Sequence, residues 1–208
     1  MEKKIDFKKT LRTLYHAPTG KFADVDVPAM QFVKIDGRGD PNVEAGYGRA
    51  IEWLYATSYV MKFAAKTGLG RDYVVPPLEG LWWADDPQDF VARRKGRWRW
   101  TMMIMAPDLI DRSMFDTAVT QARGKLGDPP ASLRLELLHE GPSLQTLHVG
   151  SYDDEGPVLA RLHDEIMPAL GLTFAGPHHE IYLGDPRRTL PEKLRTILRQ
   201  PVRPLASE

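Results

Sequence analysis

The two halves of this chain can be laid on each other, and that internal echo limits its folds more than any other feature. Val33-Lys34-Ile35-Asp36-Gly37 leads into a first long helical pattern much as Leu147-His148-Val149-Gly150-Ser151 leads into a second. Glu79-Gly80-Leu81-Trp82-Trp83 with Asp86-Pro87 is echoed by Glu180-Ile181-Tyr182-Leu183 with Asp185-Pro186. One β-α-β half leaves a helix face and strand edges uncovered, so two copies side by side would bury both helices on one long antiparallel sheet. The expected fold is α+β: tandem duplicated β-α-β-β halves, helices on one face, and a central ligand groove. Pseudo-twofold symmetry would bring Glu79 and Glu180 to that groove.

Periodicity fills in the elements. Residues 29–35 alternate as a strand, and Gly37-Arg38-Gly39 ends it. Asp40-Pro41 reads as the start of a helix that carries Tyr47, Ile51, Leu54, Ser58 and Met61 in line and closes near Gly68. Strands follow at 78–83 and 97–105, the second with Trp98, Trp100, Met102 and Ile104 on one face. A helix with Met114, Phe115, Ala118, Val119 and Ala122 on its apolar side connects the halves. Residues 132–139 and 144–149 then read as a hairpin turned at Gly141-Pro142. A helix from Asp153 or Asp154 to Gly171, a strand at 179–184 and a short last strand at 196–198 complete the chain. The first repeat covers about 28–107, the connector about 109–127 and the second repeat about 132–203, within one domain.

Composition enters by exclusion. Lysine plus arginine equals aspartate plus glutamate at 28 each, so no net field would hold the chain on nucleic acid or an anionic membrane. No cysteine is present, which removes disulfides, thiolate metal sites and a thiol nucleophile. The start of the chain lacks an apolar signal segment, and no run of about eighteen apolar residues exists to span a bilayer. A cytoplasmic protein is expected, with neither nucleic acid nor membrane as partner; the oligomeric state is not readable.

His139-Glu140-Gly141-Pro142, the stretch from Leu147 to Tyr152, and above all His178-His179-Glu180-Ile181-Tyr182-Leu183-Gly184-Asp185-Pro186 resemble the GyrI-like small-molecule-binding domain family. That family includes a gyrase inhibitor and the effector-binding domains of multidrug-responsive regulators. The resemblance implies an SHS2-like tandem fold whose groove takes hydrophobic, often aromatic or cationic compounds, with a buried glutamate at Glu180. Some stand-alone members are hydrolases that open the cyclopropane of cyclopropanoid alkylators, using residues that map to Glu180, Tyr182 and Trp82 or Trp83. A helix-turn-helix segment, as the regulators carry, has no room in the short lead-in. A stand-alone binder or enzyme is therefore expected: first a cyclopropanoid hydrolase, the alternative being a multidrug-binding or sequestering protein for lipophilic aromatic cations. A protein-partner role like the gyrase inhibitor's is the third class.

Each candidate residue has a plain structural role beside the functional one. Glu180 in an aromatic pocket would be a base or a counter-ion; a glutamate opening a strand is ordinarily solvated. Tyr182 shares its face and offers a hydroxyl. Trp82 and Trp83 must face opposite ways, so at most one lines the groove. Trp98 and Trp100 form either a stacking floor or core. Glu79 is the candidate partner of Glu180. His178 also shares Glu180's face, but no third ligand stands at metal spacing, and nothing in the pattern calls for a metal or another cofactor. The basic run Arg93-Arg94-Lys95 with Arg97 and Arg99 reads as a solvated turn.

Overall fold

The computed structural model describes residues 3–86, 88–89 and 92–206, so Pro87 of the Asp86-Pro87 echo lies outside the described residues. In chain order the elements are α1 Phe7–Thr10, α2 Arg12–Tyr15, β1 Ala23–Val27, β2 Met30–Arg38, α3 Ala45–Gly68, β3 Leu78–Ala84, β4 Trp98–Met105 and α4 Arg112–Leu126. β5 Arg134–Leu138, β6 Gly141–Val149, α5 Gly156–Ala160, α6 Met167–Ala169, β7 Leu172–Phe174, β8 His178–Tyr182 and β9 Arg195–Pro204 follow. They fall into two compact units: residues 3–10 with 30–138, and residues 11–29 with 139–206. The class is α+β with antiparallel strand pairing.

In the first unit β4 lies between β3 and β2, and β5 adds to the far side of β2. Antiparallel partners share a face, so the register sorts the side chains. Gly37, Trp100 and Trp82 stand in one cross-strand row, and Ile35 and Met102 stand in the next. This face meets α3, whose Ala50, Trp53, Leu54, Thr57, Met61 and Ala65 are buried at helical spacing. Tyr47 on α3 sits edge-on to Trp100 with ring centroids 5.2 Å apart. A side chain at Gly37 would collide with the Trp100 ring: an ideal Cβ would stand 2.1 Å from Cη2. The opposite face carries Glu79, Leu81 and Trp83 together with a polar row, in which Arg134 bonds Asp36 at 2.8 Å and Lys34 bonds Glu136 at 2.9 Å. α4 is capped by Asp111, whose carboxylate accepts from Met114 N at 2.8 Å.

In the second unit β9 lies between β6 and β8, β1 borders β6, and β7 pairs with the far end of β9. Leu144, Thr146, Leu198, Glu180 and Val202 share one face by register. The helical segment covers it: Leu162 and Met167 pack with Leu144 and Val202 in the unit's core. That segment is α5, then π-helical Arg161–Ile166, then α6. The other face, with Gln145, Arg199 and His179, meets the chain around α2: Gln145 donates to Thr13 O at 2.8 Å and Arg199 to Leu14 O at 2.6 Å.

Several expected elements differ. Residues 134–138 and 141–149 are not a hairpin. β5 pairs with β2 in one unit while β6 pairs with β1 and β9 in the other. The turn at Gly141, with φ 66°, redirects the chain between partners instead of folding it back. β1, read as polar lead-in, is a strand whose Val25 and Val27 are buried while Asp24 and Asp26 face out. α3 begins at Ala45, because Asp40 turns the chain by accepting from Asn42 N at 2.9 Å. The last strand runs ten residues, Arg195–Pro204.

Candidate functional site

Both units have the order strand, glycine turn, helix, strand, strand, and their ladders can be matched residue by residue. Gly39 and Gly150 hold φ 93° and 149° at the turn before the helix. Pairing these two matches Gly37-Trp100-Trp82 of the first unit with His148-Thr196-Tyr182 of the second. Gly80 then corresponds to Glu180, and Glu79 to His179. The expected Glu79–Glu180 symmetry is therefore corrected. Glu79 lies on the face of its sheet away from α3, whereas Glu180 lies on the helix-covered face of its own. The echo of Glu-Gly-Leu-Trp-Trp in Glu-Ile-Tyr carries one residue too many, and a period of two turns that single residue into the opposite face.

Glu180 is partly buried on β8, between two side chains of its own face. Tyr182 donates from its hydroxyl to Glu180 Oε2 at 2.8 Å. His178 Nε2 stands 3.6 Å from Oε1. Burial holds the His178 imidazole down to a pKa of about 3, with the charges of His163 and His179 adding to the effect. His178 is therefore neutral near pH 7, and its contact with Glu180 is that of an imidazole beside a carboxylate rather than an ion pair. Tyr152, in the single helical turn Tyr152–Asp154, meets Tyr182 edge to face at 5.6 Å. The second unit thus holds a partly buried carboxylate beside an imidazole and a tyrosine pair, with one oxygen fixed by a phenol. Such a group can take a proton from water or balance a cation.

The other candidates sit in the first unit. Trp82, Trp98 and Trp100 share the α3 side, where Trp82 lies 5.8 Å from Trp98 and 6.1 Å from Tyr47. Trp100 is core; Trp98 is half-buried and donates to Asp89 O at 3.4 Å. Trp83 stands on Glu79's face, opposite to Trp82. In the basic run, Arg94 and Arg97 both pair with the buried carboxylate of Asp89, and Arg99 pairs with Asp85 at 2.7 Å.

Behind β8 lies a group that the motif contained but that no chemical pattern flagged. Glu140 Oε1 and Oε2 each stand 3.0 Å from His179 Nδ1, and Arg199 Nη1 reaches Oε2 at 3.3 Å. Burial alone would raise the Glu140 carboxyl; His179 and Arg199 outweigh it and bring the pKa down to about 2. An ionised carboxylate only accepts, so Nδ1 carries the hydrogen. A separate cleft of about 300 Å³ in this unit is lined by Phe22, Thr146, His148, Pro157 and Arg161 among others, and not by Glu180.

Each unit is α+β, and the second carries a carboxylate and a tyrosine on the helix-covered face of its sheet. The chain belongs to the GyrI-like small molecule binding domain family, whose model matches residues 24–203. It is similar to an uncharacterized conserved protein from Listeria innocua, with 37% identity, a TM-score of 0.87, and 96% of this chain and 100% of that one covered. It is also similar to a hydrolase from Listeria innocua, with 38% identity, a TM-score of 0.80 and the same coverage. The EcmrR C-terminal domain, at 10% identity and a TM-score of 0.56 over 88% of this chain and 98% of that one, shares the fold. No curated protein matches the chain.

Proposed function

We propose that this protein hydrolyses cyclopropanoid xenobiotics, compounds in which a strained cyclopropane is joined to a conjugated dienone, with Glu180 as general base. The observation that carries this is the Glu180 carboxylate with Oε2 fixed by Tyr182 at 2.8 Å and Oε1 3.6 Å from His178 Nε2, an imidazole whose pKa burial pushes well down. A protonated histidine at that place would satisfy the carboxylate and blunt it as a base; a neutral one leaves its charge to act. The likeness to a hydrolase at 38% identity supports a hydrolytic reaction.

In the reaction, Glu180 takes one proton from water and the oxygen bonds to the cyclopropane methylene. The carbon–carbon bond to the ring breaks, and its electron pair enters the dienone, which becomes a phenolate and takes up a proton. Aromatisation drives the step, so the protein need only place the water and hold its base. The setting we propose is the cytoplasm, where such alkylators would otherwise reach DNA.

The Tyr152–Tyr182 pair beside a carboxylate also favours a second reading, a multidrug-binding protein that holds lipophilic aromatic cations without turnover. One experiment separates the two. Purified protein is incubated with a cyclopropanoid alkylator and the ring-opened product followed by chromatography, with Glu180→Gln in parallel. Product formed catalytically and lost in Glu180→Gln supports hydrolysis. Saturable binding with product at the buffer rate overturns it in favour of the binding protein.

A further inference from the structure

β8 is five residues long, and the whole candidate site depends on which way it faces. A slip of one residue along β9 would turn Glu180 to the opposite face. Backbone ladder bonds do not read side chains, so they cannot by themselves forbid the slip.

The face behind Glu180 does read them. His179 is fully buried and gives its Nδ1 hydrogen to the Glu140 carboxylate, 3.0 Å from each oxygen. Arg199, directly opposite His179 on β9, reaches the same carboxylate with Nη1 at 3.3 Å. It also reaches Leu14 O with Nη2 at 2.6 Å and Gln145 Oε1 with Nε at 3.2 Å. Gln145, opposite Arg199 on β6, completes a buried polar row across three strands. A two-residue slip would set Pro177 or Ile181 against Glu140, and neither side chain can donate. A one-residue slip in one direction would set Glu180 itself there, carboxylate on carboxylate; in the other, His178 could donate to Glu140, but Glu180 would then take the fully buried place of Ile181 opposite Ile197, where a carboxylate costs dearly.

Buried ionic groups are a poor source of stability, because desolvation consumes most of what their attraction gives, and apolar residues of the same size hold a fold as well. What this row supplies beyond apolar packing is a fixed side-chain order. We propose that Glu140, His179 and Arg199 are positioning residues that hold β8 in the register aiming Glu180 at its substrate. The proposal rests on the reading of Glu180 as the reacting carboxylate.

His179→Leu and His179→Asn test it in the full chain, the asparagine keeping an N–H toward Glu140. Two readouts are taken: amide hydrogen exchange of β8, which needs no substrate, and kcat against KM with a cyclopropanoid alkylator. His179→Leu is expected to fold, to lose β8 protection and to lose kcat about tenfold or more, with KM changed less than about threefold. His179→Asn recovers both. Should His179→Leu fail to fold, Glu140→Gln, which keeps an acceptor of the same shape, takes its place with the same expectations in milder form. A folded His179→Leu with wild-type exchange and kcat overturns the proposal, as do equal losses in the leucine and asparagine variants. If Glu180→Gln itself keeps full kcat, the base assignment is what fails, and the exchange readout still decides the register.

Discussion

Glu180 and Tyr182 are two residues apart on one strand face, and the hydrogen bond between them divides their roles. Glu180→Gln removes the proposed base, so hydrolysis is expected to fall to the uncatalysed rate while ligand binding persists in equilibrium titration. Tyr182→Phe removes only the donor that orients the carboxylate. A hydrogen bond to a charged group is worth roughly 1.5–3 kcal/mol, so kcat should fall about tenfold or somewhat more, with KM little changed. A Tyr182→Phe enzyme at full kcat would show that the phenol orients nothing. The residue pattern exposed this pair because His-x-Glu-x-Tyr puts three functional groups on one face of a strand. Glu140 and Arg199 escaped because their partner, His179, points the other way and their contacts join positions far apart in sequence.

At the scale of the elements, strands were legible in the sequence wherever apolar alternation was strong, as in Trp98-x-Trp100-x-Met102-x-Ile104. Pairing was not. β5 and β6 are neighbours in sequence with Gly141 where the second begins, which is a hairpin's signature, yet each finds its partners elsewhere. Local turn chemistry says where a chain bends, whereas buried faces decide what it bends toward. The helix of the second half hid its π-helical stretch Arg161–Ile166 for a similar reason, since its side-chain spacing does not differ enough from an α-helix to be read. Gly37 leaves room for the Trp100 ring, so Gly37→Ala should destabilise the protein by about 1–3 kcal/mol, seen as a lower urea midpoint at unchanged slope. Unchanged stability would mean the ring moves aside at no cost.

For the whole molecule, the same buried groups set its response to acid. His178 titrates at about 3 when folded against an ordinary 6.5, and Glu140 at about 2 against 4.5. Both folded values lie below the unfolded ones, so in each case the unfolded chain binds the proton first. The stability they provide is complete above the unfolded pKa and is lost as pH falls towards the folded one. Loss should begin below about pH 6.5 through His178 and His163, whose imidazole burial also holds low, and steepen below about 4.5 through Glu140. Urea midpoints across pH 3–8 check this, with His178→Gln shrinking the upper limb, His163 keeping the remainder, and leaving the lower one. An upper limb of full size in His178→Gln would take the assignment away from His178.

The central claim is that Glu180 makes this GyrI-like domain a hydrolase rather than a holder of small molecules. Its most direct test is the number of ring-opened product molecules formed per protein molecule when a cyclopropanoid alkylator is supplied in large excess. The account predicts a ratio that climbs well beyond one for the native chain and stays at the buffer background for Glu180→Gln. A ratio that stops at one, or a native rate no higher than the variant's, would contradict it.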